Sequence, residues 1–133
     1  MIIDTSAILA VFLKEPGYER IVDRLAAGDE SGIGAPTLAE TGIVLEGRFG
    51  GPAAGWLSQF VAEFRLVSIP FSADHWREAV AAFSRFGRGR HPAALNYGDC
   101  LTYAVARLAG ESLLCVGADF ARTDLQLVDL QVD

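Results

Sequence analysis

Apolar positions along the chain recur in two periods, and the switches between them lay out the elements. Ile2-Ile3 is a β-branched pair followed by polar Asp4-Thr5-Ser6, after which Val11 resumes an apolar pattern at helical spacing. That reads as a short buried strand, a tight turn and a helix over Ala7–Leu13, terminated by Pro16-Gly17. Tyr18–Ala27 reads as a second helix, with Ile21, Val22, Leu25 and Ala26 on one side and Glu19, Arg20, Asp23 and Arg24 facing water. Ile33-Gly34-Ala35 is a short strand of small residues. Pro36 then suits a helix's first turn, where its missing N–H is no loss.

The pattern continues with helices over Thr37–Phe49 and Ala53–Phe64, separated by Gly50-Gly51-Pro52. A strand over Leu66–Ile69 is closed by Pro70, and Ser72-Ala73-Asp74 opens a helix that carries Trp76, Val80 and Phe83. A basic, glycine-punctuated loop from Arg85 to Pro92 follows. Asn96–Ala109 is a helix stopped by Gly110, and Leu113–Val116 is a strongly apolar strand. Leu125–Leu130 suits a last edge strand. Strands alternating with helices predict an α/β fold in three layers, α/β/α, around a mainly parallel sheet of about four or five strands. No repeat, linker or low-complexity tract divides residues 1–133, so a single domain is expected.

Composition narrows the class. Hydrophobic residues make up 51% and charged residues 21% of 133, a folded composition rather than a disordered one. No apolar run reaches the ~20 residues that cross a bilayer, and the start lacks a secretory signal's pattern, so no membrane partner and a cytoplasmic setting are expected. Cys100 and Cys115 are too few and too far apart for a disulfide framework or a Cys-x-x-Cys site, and both are expected to be buried free thiols. With only His75 and His91 beside them, a zinc site lacks ligands. The net charge of −6 argues against a non-specific nucleic-acid coat. It leaves room for an enzyme that handles nucleic acid through bound cations, which reverse the local sign.

Four acids then stand out by position. Asp4 and Asp119 each follow an apolar strand. Glu40 and Asp99 each lie in the first turns of a helix. Each has an ordinary explanation: Asp4 as a helix cap, Asp99 in a capping box with Asn96, Asp119 in a turn, Glu40 in a buried ion pair with an arginine. Glu40 shares its side of the helix with Ile43 and Val44, which suggests a core-facing stripe. Together, all four belong to the edge where parallel α/β sheets open their ligand crevices. Carboxylates gathered there repel by roughly 3 kcal/mol per pair at ~5 Å and an effective dielectric of ~20. Oxygen ligands of this kind select hard cations, Mg²⁺ or Mn²⁺, which bind phosphates and can clamp a phosphodiester in pairs.

The blocks Met1-Ile2-Ile3-Asp4-Thr5-Ser6-Ala7, Ala39-Glu40, Leu95-Asn96-Tyr97-Gly98-Asp99-Cys100 and Gly117-Ala118-Asp119-Phe120-Ala121-Arg122-Thr123-Asp124 resemble the signature blocks of PIN-domain ribonucleases. They are most similar to the VapC toxins of bacterial VapBC pairs. The resemblance implies a PIN-like domain and an Mg²⁺- or Mn²⁺-dependent endoribonuclease in which Asp4, Glu40, Asp99 and Asp119 form the acidic quartet. Ser6 and Asn96 would be polar groups that orient carboxylates. The family often has a hydroxyl residue two positions before the last acid; Gly117 stands there, with Thr123 or Asp124 as replacements. A homodimer and a VapB-type antitoxin, whose C-terminal segment sends an arginine towards the acids, are also implied. On this reading Arg85, Arg88, Arg90 and His91 in the basic loop hold RNA phosphates. The alternatives are a solvated loop and, for the whole chain, a catalytically silent PIN-like module that binds RNA or antitoxin.

Other carboxylate chemistries fit less well. A receiver-type phosphoryl-transfer fold needs a lysine after a late strand, and the only lysine is Lys14. A haloacid-dehalogenase-like phosphatase needs a second aspartate where Ser6 stands. No serine sits in a nucleophile-elbow pattern.

Overall fold

A computed structural model describes residues 1–130. Its elements are β1 (Ile2–Ile3), α1 (Thr5–Phe12), α2 (Tyr18–Ala26), β2 (Gly32–Gly34), α3 (Ala35–Phe49), α4 (Ala53–Glu63), β3 (Val67–Ile69), α5 (Ala73–Phe86), α6 (Tyr97–Ala109) and β4 (Leu113–Leu114). The four strands are all parallel and lie in the order β3-β2-β1-β4. Ile2 pairs with Leu113 and Ile3 with Leu114, so each rung of the central ladder sends two apolar side chains to the same face.

That pairing separates two cores. Ile3, Ile33 and Leu114 pack with Ala7, Ile8, Ile21, Leu45, Leu57 and Phe60 from α1 to α4. Ile2 and Leu113 pack with Phe86 of α5 and with Tyr103, Ala104 and Val105 of α6. β1, β2 and β4 are buried throughout, as strands covered on both faces are, whereas the edge strand β3 is largely exposed. The three-layer α/β/α arrangement expected from the alternating pattern is present. Among the described residues no helix is long and apolar enough to cross a membrane.

One expectation about faces is corrected. The buried stripe of α3 is Thr37, Thr41 and Leu45, whereas Glu40, Ile43 and Val44 are exposed. Trp76, Val80 and Phe83 likewise point outward from α5, whose buried stripe is Ala79, Ala82 and Phe86. Periodicity identifies an apolar side; it does not say which body covers it. The small buried stripe of α5 instead lets α5 and α6 approach closely. The edge strand expected over Leu125–Leu130 reduces to one parallel bridge, Leu113 to Leu127, because β4 offers only a short ladder to extend. Cys100 is buried, Cys115 is half-buried and both thiols are free.

Strand β2 is Gly-Ile-Gly: helix α6 leaves no room for a side chain at Gly34, and the tip of Ile69 on β3 crowds Gly32. A Cβ at Gly34 would stand 2.8 Å from Val105 Cγ2, and one at Gly32 2.7 Å from Ile69 Cδ1. Val105 is buried and stiff, so the strain at Gly34 cannot be relieved by a rotamer change. Gly34→Val should therefore cost about 2 kcal/mol by overpacking, a fall of roughly 6–10 °C in melting temperature. Adding Val105→Ala should recover part of that loss in the same calorimetric scan.

Candidate active site

β2 and β3 lie to one side of β1, and β4 lies to the other. The chain thus reverses its direction of growth between β1 and β4, where parallel sheets open a crevice beyond the carboxyl ends of their strands. Asp4 follows β1 directly and is the N-cap of α1. Its Oδ2 accepts hydrogen bonds from the Ser6 backbone N–H at 3.1 Å and from Ser6 Oγ at 2.6 Å. Ser6 Oγ in turn accepts from the backbone N–H of Val116, just beyond β4, at 2.9 Å. One hydroxyl joins the first acid to the segment that leads to Asp119.

Glu40 rises from the first turns of α3. Its Oε1 accepts from Thr5 Oγ1 at 3.2 Å, and Thr5 Oγ1 lies 3.0 Å from Thr41 Oγ1. The far side of the same carboxylate rests on α6: a Cβ at Gly98 would stand 2.9 Å from Glu40 Oε2. Asp99 sits at the third position of α6 in a reciprocal capping box. Its N–H donates to Asn96 Oδ1 at 2.9 Å, and the Asn96 N–H donates to Asp99 Oδ2 at 3.1 Å. Asp119 is exposed on the turn that follows β4.

The electrostatics place the four acids in one field. The Asp99 carboxyl is pushed up to about 6 by burial, with Asp119, Asp4 and Glu40 adding repulsion against the opposing Asn96 N–H bond. Burial, followed by the charges of Asp4, Asp119 and Asp99, pushes the Cys115 thiol up to about 12. A soft thiol suits a hard cation poorly, whereas the carboxylate oxygens here suit one well. Among the described residues no group of three or more Asp, Glu, His or Cys side chains stands placed to hold a metal ion by itself. Mg²⁺ keeps several waters and is held by one or two carboxylates with substrate phosphates, so spaced carboxylates suit it.

The remaining expected residues divide. Ser6 and Asn96 lie against Asp4 and Asp99. Asp124 does not join the cluster: its carboxylate is taken by Tyr103, Arg85 and Arg107. Thr123 Oγ1 donates to the carbonyl of Phe120 at 2.7 Å, and Gly117 adopts φ +96°, a conformation that β-carbons disfavour. In the basic loop, Arg85 is bound to Asp124, Arg90 stacks 5.5 Å over the Phe83 ring, and His91 Nδ1 accepts from the Ala93 N–H. Arg88 is exposed, and its backbone N–H donates to the carbonyl of Leu95, which ties the loop's neck to the start of α6. Sequence reasoning missed Thr5, Gly98 and Tyr103. Only the position of Gly98, beside an acid in a helix's first turn, hinted at its role.

A family model described as PIN domain matches residues 1–125. The chain belongs to the PIN-domain family. It is 44% identical over 127 residues to ribonuclease VapC36 of Mycobacterium tuberculosis, covering 95% of this chain and 91% of that protein. It is 38% identical to a ribonuclease VapC of Mycolicibacterium smegmatis over 128 residues, 96% of this chain and 99% of the relative. Solved structures agree on the fold. The Mycobacterium tuberculosis VapC20 toxin, described as cleaving the sarcin–ricin loop, gives a TM-score of 0.76 at 21% identity, covering 96% of this chain and 97% of that one. VapBC2 from Rickettsia felis, bound to a promoter DNA fragment, gives 0.76 at 18% identity, covering 96% of each chain.

The raised Asp99 carboxyl gives this PIN domain a defined pH response. Folded Asp99 keeps its proton at a pH where the unfolded chain has already released it. Stability from this group is therefore complete below about 4 and lost as pH rises through about 6. Asp99→Asn, which keeps an oxygen for the Asn96 N–H, should flatten the melting temperature across that window. It should also raise it at pH 7 in metal-free protein, as thermal melts at several pH values will show.

Proposed function

We propose that this PIN domain is an Mg²⁺- or Mn²⁺-dependent endoribonuclease, the toxin of a type II toxin–antitoxin pair. The observation that carries the reading is the common negative field of Asp4, Glu40, Asp99 and Asp119 beyond the carboxyl ends of β1 and β4, centred on a carboxyl displaced to about 6. Relatives named VapC ribonucleases, 38% and 44% identical over nearly the whole chain, support the same activity.

In this reading the four acids hold the cation, which when bound supplies Lewis acidity and charge neutralisation at an RNA phosphodiester. The chain's own groups set the geometry. Ser6 fixes Asp4 relative to the end of β4, Thr5 bonds Glu40 where it rests against Gly98 of α6, and Asn96 fixes Asp99. Burial raises the Asp99 carboxyl, and a bound cation would favour its ionised form. Arg88 and Arg90 on the loop before α6 bind RNA phosphates, while Arg85 is largely committed to Asp124.

Two surfaces receive the expected partners. A groove of about 710 Å³ lined by Leu38, Gly42, Leu57 and Val61 between α3 and α4 would take an apolar antitoxin segment. An arginine from that segment, presented to the acids, would stand in for the cation. The exposed apolar side chains Ile43, Val44, Trp76, Val80, Phe83 and Tyr97 flank Leu101 continuously and would pack on a second copy.

Purified protein incubated with total cellular RNA should cleave it with Mg²⁺ or Mn²⁺, lose activity in EDTA, and lose it by at least about a hundredfold as Asp99→Asn. Equal cleavage under all three conditions, or none with either metal, would reject the mechanism. Arg88→Glu combined with Arg90→Glu should weaken RNA association and reduce the salt dependence of binding by about one to two charges, leaving Mn²⁺ affinity unchanged. An unaltered salt slope would remove the loop from the RNA surface.

A further inference from the structure

Asp124 lies beyond the acidic cluster, yet its carboxylate is gripped from two helices. Tyr103 on α6 donates its phenol hydrogen to Oδ1 at 2.5 Å. Arg85 near the end of α5 donates to Oδ2 at 2.9 Å, and Arg107 on α6 stands 3.5 Å from the same oxygen. The Tyr103 ring is fully buried beside Phe86, and a phenol so placed requires a partner for its hydroxyl. Although burial pushes the Asp124 carboxyl up, the bonds from Tyr103 and Arg85 and the charges of Arg85 and Arg107 hold it below its usual range. An exposed ion pair alone would contribute little. Here the buried phenol makes the grip directional.

The chain between Asp119 and Asp124 has little freedom to absorb a movement. Phe120 is buried in the core under α5 and α6. Its carbonyl accepts from Thr123 Oγ1 at 2.7 Å and from the Thr123 N–H at 3.1 Å, and the Ala121 N–H donates to the carbonyl of Ala118. Upstream, the Val116 N–H is held by Ser6. On α6, Tyr103 stands four residues after Asp99, on the same side of the helix. The helix that bears one acid therefore holds the anchor of the loop that bears another.

We propose that Asp124 is a positioning residue: clasped by Tyr103, Arg85 and Arg107, it ties the Asp119 loop to α6 and so sets the spacing between Asp119 and Asp99. The inference rests on the reading of these acids as a cation site. It assigns Asp124 no contact with cation or substrate, and it gives Arg85 a task other than gripping RNA.

The test is Mn²⁺ binding by full-length, metal-stripped protein, followed by electron paramagnetic resonance, with circular dichroism melts to confirm that each variant is folded. Tyr103→Phe, and independently Asp124→Asn, should weaken Mn²⁺ binding about fivefold, the scale of one net hydrogen bond. In an Asp119→Asn background the same Tyr103→Phe change should alter the affinity by less than about twofold, because the group it positions is already neutral; in a Glu40→Gln background the loss of about fivefold should persist. A clasp that is merely structural would lower the melting temperature but leave Mn²⁺ affinity intact, or would cost the same factor after Asp119 is neutralised. Either result overturns the proposal. If Asp99→Asn and Asp119→Asn themselves bind Mn²⁺ like the parent protein, the cation site fails and this inference with it, an outcome distinct from silence of Tyr103→Phe alone.

Discussion

Two rungs of parallel ladder, Ile2 with Leu113 and Ile3 with Leu114, decide where everything else in this protein stands. A one-residue slip would exchange the two cores, sending Ile3 among the side chains of α5 and α6 and Ile2 among those of α1 to α4. It would also move Asp4 relative to the segment that leads from β4 to Asp119. So short a ladder is weak by itself, and the chain reinforces it with polar bonds at its carboxyl end. The Asp4 N–H donates to the carbonyl of Leu114, and Ser6 Oγ takes the N–H of Val116 while donating to Asp4. The register of the sheet and the placement of the first acid are thus one constraint.

Gathering four carboxylates at that edge is unfavourable: Asp119, Asp4 and Glu40 add repulsion to the burial that raises the Asp99 carboxyl. The ordinary roles open to these acids turn out to be how the fold tolerates them. Asp4 caps α1 and Asp99 closes the capping box of α6, so each sits at the positive end of a helix. Such a position is worth about 0.3–1 kcal/mol to a carboxylate, which offsets part of a repulsion of roughly 3 kcal/mol per close pair. Capping would therefore leave these groups usable as cation ligands: the hydrogen-bonded oxygen orients the carboxylate and the other remains available.

Much of this was legible in the letters. An apolar pair followed by Asp, and a capping pattern over Asn96 and Asp99, name positions that backbone geometry then brings to one edge. The faces of α3 and α5 were not legible, because Ile43, Val44, Trp76 and Val80 form an apolar side at helical spacing whether the sheet or another molecule covers it. Asp124, offered with Thr123 in place of the hydroxyl missing at Gly117, could not be assigned its partners from the letters, because Tyr103 and Arg107 on one helix and Arg85 on another meet it only in three dimensions. The threonine that reaches Glu40, Thr5, was invisible, since a buried hydroxyl and an exposed one look alike in sequence.

Gly98 shows which demand wins where local stability and site geometry conflict. Glycine in a helix costs about 0.5–1 kcal/mol relative to alanine, and nothing in the backbone of α6 at this position calls for a left-handed conformation. What the position does require is the absence of a β-carbon, because Glu40 lays its carboxylate against the helix there, with Oε2 and Oε1 at 2.9 and 3.0 Å from where that carbon would be. A flexible glutamate could swing aside at small cost to the fold, but it would then leave Thr5 and the field shared with Asp99. The helix accepts a weaker first turn so that an acid from α3 can meet an acid from α6.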